Sequence, residues 1–199
     1  MKEFNIVLAG VGGQGTLLAA EALGTAAVKD GLNVRVGEIH GMAQRGGAVI
    51  STVRIGRSVF ASTVLDGRAD MIIGFEPIET LRSLKYASEG TCVIMSTERI
   101  PPVELTVKKA KYPSIDGIVE KIRRFTDNVI LVDAVRLAKE AGSGLTRNVV
   151  LLGVAAGTGR LPVTKDCLLE AVRELVASKH LEVNLRAFDL GFDSVLENR

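Results

Sequence analysis

Tryptophan is absent from this sequence of 199 residues, and cysteine and histidine occur only twice each. Cys92 and Cys167 lie far apart, so the sequence indicates neither a C-x-x-C metal site nor a disulfide framework. We expect both cysteines to be buried as small hydrophobic residues. Iron–sulfur clusters generally need more thiolates than this chain supplies, so a cluster bound by this chain alone is excluded.

The sequence also lacks a large excess of charge of one sign, since it contains 25 basic and 23 acidic residues for a net charge of +2. Without a basic block, neither nucleic acid nor an anionic membrane is a favoured partner. Apolar runs are short as well: Asn5–Ala9 stops at Gly10, and Val149–Ala156 falls well below the roughly 20 residues that span a bilayer. We therefore expect a cytoplasmic protein without an export signal or a transmembrane segment.

The hydrophobic residues that are present follow the pattern of an α/β domain. Asn5–Ala9 predicts a buried strand, Thr16–Asp30 a helix, and Val34–Glu38 a second strand parallel to the first. Ala48–Ile55 and Ser58–Val64 alternate in polarity around Gly56-Arg57 and predict an inserted β-hairpin.

The alternation of strands and helices then resumes along the rest of the chain. Strands are predicted at Met71–Phe75, Thr91–Ser96, Val103–Ala110 and Val129–Asp133, and helices at Ile78–Ala87, at Ser114–Phe125 and after a capping Thr164. The sequence therefore predicts one domain over residues 1–199, with a Rossmann-like, open and mostly parallel sheet and helices on both faces.

A glycine-rich loop follows the first predicted strand. It reads Gly10-Val11-Gly12-Gly13-Gln14-Gly15-Thr16, which satisfies G-x-G-x-x-G between a strand and a helix. Glycines there permit a tight turn and let backbone N–H groups approach a phosphate, which the helix dipole also attracts. The alternative is that they only let the helix pack closely on the sheet. With Glu38 in the position of a ribose-binding carboxylate, the loop also allows an NAD or FAD site.

A second loop at the end of the next predicted strand combines groups suited to binding a ligand or a partner. Arg45 offers a planar fork for phosphate or carboxylate, and Gln44 can orient it, although a structural ion pair of Arg45 is equally compatible. His40 could act as an acid or base, but a lone histidine is more often structural. Open α/β sheets bind ligands at the carboxyl ends of their strands, where this loop lies. The candidate residues of the second loop are Glu38, His40, Gln44, Arg45, Gly46 and Gly47.

These two loops, followed by the segment Ser51–Gly56 (STVRIG), resemble the gamma subunits or gamma domains of the 2-oxoacid:ferredoxin oxidoreductases. Residues 40–47 are similar to the version in the small (beta) subunit of the members that oxidise indolepyruvate. The similarity runs from about Phe4 to about Asp189. It implies a small subunit that supports oxidative decarboxylation of a 2-oxoacid, here an aryl pyruvate, to the acyl-CoA with reduction of ferredoxin.

The resemblance also implies where the cofactors lie. Thiamine diphosphate, magnesium and [4Fe-4S] clusters are expected on a larger partner subunit, because this sequence has no Gly-Asp-Gly motif with downstream asparagines and no cysteine run. For this chain, the resemblance implies coenzyme A as the candidate ligand, because its phosphates suit the glycine loop. It implies neither a catalytic residue nor a metal ligand in this chain. Two alternatives stay open: a stand-alone Rossmann-type NAD(P)- or FAD-binding oxidoreductase, and a dimerisation module that uses the apolar Ala48–Val64 hairpin.

Overall fold

The computed structural model of the chain describes residues 3–40, 47–101 and 111–196. Within these ranges, six strands form one sheet and seven α-helices pack against it. The strands are β1 (Phe4–Val11), β2 (Asn33–His40), β3 (Ala48–Gly56), β4 (Met71–Gly74), β5 (Cys92–Ser96) and β6 (Val129–Val132). The helices are α1 (Thr16–Lys29), α2 (Pro77–Arg82), α3 (Ile115–Ile122), α4 (Ala134–Ala141), α5 (Arg147–Gly157), α6 (Lys165–Leu175) and α7 (Leu181–Leu196).

The strand order of the sheet is β2-β3-β1-β4-β5-β6. Strands β1, β4, β5 and β6 pair in parallel, whereas β3 runs antiparallel to both β1 and β2. The prediction of an open, mostly parallel sheet is therefore confirmed. Strand β2 runs parallel to β1, as predicted, but β3 lies between the two.

Hydrophobic clusters cover both faces of the sheet, which confirms the predicted helices on both sides. On one face, α1, α5, α6 and α7 pack against side chains such as Leu8, Ile73 and Ile94. On the other face, α2 and α3 pack near Val7 and Val93. Successive side chains of a strand point to opposite faces, so strands covered on both faces become continuous apolar runs in the sequence.

The predicted hairpin of Ala48–Ile55 with Ser58–Val64 is wrong, because residues 58–64 are not a strand and the hairpin partner of β3 is β2. The segment instead lies across one face of β3. Arg54 Nη1 donates to the Ala61 carbonyl at 2.9 Å, and Thr52 Oγ1 donates to the Ser62 carbonyl at 2.8 Å. Both edges of β3 are already paired with β1 and β2, so the hydrogen bonds from β3 to the segment come from side chains.

The other predicted elements form with shifted ends. The helix predicted at Ile78–Ala87 divides into α2 and a 3₁₀ turn at Ser83–Tyr86. The apolar run Val149–Ala156 lies inside the buried helix α5. The strand predicted at Val103–Ala110 lies wholly outside the described residues. Among the described helices, none combines the length and the apolar character needed to span a membrane.

Threonine and serine caps fix the starts of two helices. The Ser114 side chain accepts from Gly117 N at 3.1 Å at the start of α3, and the predicted Thr164 cap accepts from Cys167 N at 3.3 Å at the start of α6. Cys92 is buried, as predicted. The same prediction is wrong for Cys167, which is half-buried and donates its thiol hydrogen to Asp30 Oδ1 over a distance of 3.1 Å.

Candidate functional site

The glycine loop lies at the carboxyl edge of the sheet, between the end of β1 and the first turn of α1. Val11 pairs with Ala48, and Gly12 N donates to the Gly47 carbonyl at 2.9 Å. The end of the second loop therefore touches the glycine loop, and the two predicted site loops meet. Of the second loop's candidate residues, Gln44, Arg45, Gly46 and the His40 side chain lie outside the described residues.

Gly13 and Gly15 give the loop its shape, with φ angles of 98° and 79° that favour glycine. A Cβ added at Gly13 would have no heavy atom within 4 Å, whereas one at Gly15 would lie 2.6 Å from Asn148 Nδ2. Gly13 is exposed. Within the described ranges, the N–H groups of both glycines have no hydrogen-bond acceptor and can donate to a ligand oxygen.

Helix α1 begins at this loop without a capping side chain. Its N-cap is Gly15, and its first turn contains no acidic residue. The first N–H groups of such a helix carry a partial positive charge that attracts an anion. Gly10 has a different role, since a Cβ there would lie 2.9 Å from atoms of Gln14, Thr16 and Phe75. Close packing thus explains Gly10, while Gly13 and Gly15 present backbone donors.

Gln14 lies beneath the loop and shapes it from inside. Its side chain is 4% exposed; Oε1 accepts from Val11 N at 2.7 Å, and Nε2 donates to the Phe75 carbonyl at 2.9 Å. Nε2 also lies 3.4 Å from Glu98 Oε2. Thr16 is buried too, at 4% exposure. Both side chains, which the sequence placed among the ligand-binding candidates, are therefore enclosed by protein.

Three residues that sequence reasoning missed complete this edge: Glu98, Arg147 and Asn148. Glu98 follows β5, and its Oε1 forms an ion pair with Nη1 of Arg147, the first residue of α5. The next residue, Asn148, has Nδ2 at 3.5 Å from the Gly15 carbonyl. The side chains of Glu98 and Arg147 are 17% and 24% exposed, so a ligand can reach both. The only sequence signal was the position of Glu98 after a predicted strand, because parallel strands end at one edge.

A buried carboxylate, Glu76, fixes the neighbouring strand end. It is 0% exposed, and its Oε2 caps α2 by accepting from Glu79 N at 3.0 Å. Its Oε1 accepts from Ile100 N at 3.3 Å and from the Tyr112 hydroxyl. Burial first, and then the hydrogen bond to Glu76, raise the pKa of Tyr112 above its ordinary value, so the phenol stays neutral and remains a donor.

Glu38 lies away from the glycine loop. It pairs with Ser51 of β3, which pairs in turn with Leu8, so Glu38 is level with the middle of β1. Two strand spacings, together about 10 Å, separate β2 from β1. In dinucleotide-binding proteins, the ribose-binding carboxylate lies at the end of the strand that is next to the strand before the glycine loop. Glu38 does not occupy that position. Its position gives no support to an NAD or FAD site.

The fold and the site define an α/β protein with a glycine-lined, anion-compatible loop at the carboxyl edge of its sheet. In the described part of the chain, no three His, Cys, Asp or Glu side chains are grouped so that they could hold a metal ion. The chain belongs to the pyruvate ferredoxin/flavodoxin oxidoreductase family, whose model matches residues 5–194. The resemblance seen in the two loops is thereby confirmed.

Individual relatives agree with this assignment. The indolepyruvate oxidoreductase subunit IorB of Pyrococcus horikoshii is 45% identical over 198 residues, which cover 99% of this chain and 98% of that protein. The gamma subunit of a keto/oxoacid ferredoxin oxidoreductase from Geobacter sulfurreducens has the same fold, with a TM-score of 0.71, 22% identity and coverage of 98% and 99% of the two chains. The chain is therefore homologous to the small subunits of oxidoreductase complexes.

One solved structure places the same fold within a longer chain. The 2-oxoglutarate:ferredoxin oxidoreductase from Magnetococcus marinus matches with a TM-score of 0.74 at 18% identity. The match covers 100% of this chain but 32% of that one. In that protein, the fold of this chain is joined covalently to further polypeptide.

Proposed function

We propose that this chain is the small subunit of an indolepyruvate:ferredoxin oxidoreductase. The observation that carries the proposal is the near full-length match to IorB of Pyrococcus horikoshii, which is named as a subunit of an indolepyruvate oxidoreductase. The complex converts the 2-oxoacid and coenzyme A into the acyl-CoA and carbon dioxide, and a pair of electrons passes to ferredoxin. A larger partner subunit supplies thiamine diphosphate, magnesium and [4Fe-4S] clusters, and the complex works in the cytoplasm.

Within this complex, we assign the glycine loop to a phosphate of coenzyme A. The N–H groups of Gly13 and Gly15 and the uncapped start of α1 supply donors and partial positive charge. Arg147 adds a guanidinium, which binds phosphate through two parallel N–H bonds. The Magnetococcus marinus oxidoreductase, which shares the fold, was solved with coenzyme A bound. Arg45, at the end of the second loop, is a further candidate for the same ligand.

We assign the β2 edge of the sheet to the larger subunit. Ten large hydrophobic side chains of the described residues are exposed, and four of them lie on β2 or on α1 beside it: Leu17, Val28, Val36 and Ile39. An edge strand with exposed apolar side chains on both faces needs a cover. In the Magnetococcus marinus protein, this fold is part of a longer chain. That arrangement supports a larger subunit, and not a second copy of this chain, as the partner that covers the β2 edge.

The loop assignment is tested by the substitution Gly13→Val in the purified complex. A Cβ at Gly13 meets no neighbour, so the damage comes from the φ of 98° and from a branched side chain beside the N–H donors, not from a clash. We expect the KM for coenzyme A to rise about tenfold or more, equivalent to about 1.4 kcal/mol of lost binding. The KM for indolepyruvate should change little.

The matched control is Gly31→Val at the other end of α1. Gly31 has a φ of 71°, and a Cβ there also meets nothing within 4 Å. The control therefore introduces the same backbone strain far from the loop. If both variants change the KM for coenzyme A equally, or neither does, the assignment of the loop to coenzyme A is wrong.

A further inference from the structure

An ion pair stands beside the glycine loop. The Glu98 carboxylate contacts Arg147 Nη1 through Oε1 and lies 3.4 Å from the Gln14 amide through Oε2. The Glu98 carboxylate therefore bridges the Arg147 guanidinium and the glycine loop. The residue after Arg147, Asn148, contacts the Gly15 carbonyl. Arg147, the cation that would suit a phosphate at this loop, already forms an ion pair with Glu98.

Carboxylate and phosphate compete for the same face of a guanidinium. Both accept N–H bonds from its planar fork, Glu98 here takes Nη1 through Oε1, and two anions beside each other repel. Arg147 cannot serve a phosphate fully while Glu98 holds it. The side chain of Arg147 is 24% exposed, so a ligand can approach from solvent without unfolding the loop.

We propose that Glu98 is a built-in competitor for Arg147, so that the anionic ligand of the glycine loop binds tightly only after it displaces the Glu98 carboxylate. The proposal rests on the proposed function, in which that ligand is a phosphate of coenzyme A. Glu98 thereby lowers the affinity of the subunit for coenzyme A and favours release of the acyl-CoA product.

The loop does not depend on Glu98 for its shape. Gln14 keeps its bonds to Val11 N and the Phe75 carbonyl, at 2.7 and 2.9 Å, when the 3.4 Å contact with Glu98 is lost. The substitution Glu98→Gln retains the size of the side chain and withdraws only its charge. A role confined to holding Arg147 in place predicts weaker binding after this change, whereas a competitor predicts tighter binding.

The test is calorimetric titration of coenzyme A into the purified complex. We expect Glu98→Gln to bind coenzyme A about tenfold more tightly than the wild type, or about 1.4 kcal/mol. The control is Glu174→Gln, which makes the same charge change at the ion pair with Lys29, 2.7 Å long and about 20 Å away along α1. The control should leave the affinity unchanged. Unchanged or weaker binding in Glu98→Gln overturns the proposal.

Arg147 supplies the second arm of the test. In an Arg147→Gln background, Glu98→Gln should give no gain in affinity, because the cation that it releases is gone. A gain that persists in that background overturns the proposal. If Glu98→Gln does not fold, Glu98→Asn also withdraws the charge and takes its place.

The same titrations separate this proposal from the proposed function. If Gly13→Val weakens binding of coenzyme A but Glu98→Gln does not tighten it, only the competitor role fails. If coenzyme A binds to no variant, or binds with an affinity that Gly13→Val does not alter, the loop is not its site and both proposals fail.

Discussion

A single carboxylate, Asp30, anchors the end of α1 that lies farthest from the glycine loop. Asp30 Oδ2 accepts from Thr164 N at 2.6 Å, and Oδ1 accepts from Thr164 Oγ1 and from Cys167 Sγ, each at 3.1 Å. Partial burial opposes ionisation, but these three hydrogen bonds outweigh it and lower the pKa of Asp30. The carboxylate thus ties α1 to the start of α6.

The lowered pKa makes this contribution to stability dependent on pH. An aspartate in an unfolded chain has a pKa of about 3.9, so the folded state gains from the ionised carboxylate above that pH and loses the gain as the pH falls through the lower folded pKa. We expect Asp30→Asn to lower the free energy of unfolding by about 1 kcal/mol at pH 7. Urea denaturation should show the difference shrinking below about pH 4; a difference that grows there would contradict the account.

Residues that come from one local segment were predictable, and residues brought together by the fold were not. The G-x-G-x-x-G pattern located the loop that carries the backbone donors Gly13 and Gly15, because the spacing itself defines the turn. Glu98 lies 84 residues from its contact Gln14, and Asn148 lies 133 residues from Gly15, so no local pattern connects them. The distance of Glu38 from β1 could not be predicted, because the sequence does not state that β3 separates β2 from β1.

At the scale of elements, α5 and α7 pack with their backbones in contact. A Cβ added at Gly153 would overlap the Phe188 carbonyl oxygen, and one at Gly191 would overlap the Val150 carbonyl oxygen. Backbone atoms cannot move aside as the end of a flexible side chain can. This pair of helices therefore requires glycine at both positions and holds the layer that covers the α1 face of the sheet.

We expect Gly191→Ala to lower the free energy of unfolding by about 2–4 kcal/mol, since the added methyl group forces the two helices apart. The matched control is Gly24→Ala in α1, where a Cβ meets only Val36 Cγ2, at 3.0 Å, and Val36 is 41% exposed and free to shift. Higher helix propensity offsets that contact, by up to about 1 kcal/mol. Urea denaturation of both variants checks the prediction, and equal stabilities would refute it.

Strands and helices followed from the sequence more reliably than the pairing of strands. Continuous apolar runs identified β1, β4 and β5, because both faces of these strands are covered. In residues 58–64 only Val59 and Val64 are buried, so the apolar residues there reflect packing against the sheet at two points, which the sequence does not distinguish from a paired strand. Which strands are neighbours depends on contacts that form only in the complete fold.

On the scale of the whole molecule, the two edges of the sheet differ. Of the two edge strands, β2 exposes two large hydrophobic side chains, Val36 and Ile39, whereas β6, at the opposite edge, exposes only Leu131 among the described residues. The sequence indicated the family through its two glycine-rich loops, but not the surface that meets a partner, because exposure is a property of the folded chain. The asymmetry fits a subunit that is covered on one side.

The most direct measurement is purification of the affinity-tagged chain from its native host under anaerobic conditions, with mass spectrometry and cofactor analysis of what accompanies it. The account predicts a stoichiometric larger subunit that contains thiamine diphosphate, iron and sulfide. It further predicts that this complex reduces ferredoxin with indolepyruvate and coenzyme A, and that the chain alone does not. Recovery of the chain alone with bound NAD or FAD, or indolepyruvate oxidation by the isolated chain, would contradict it.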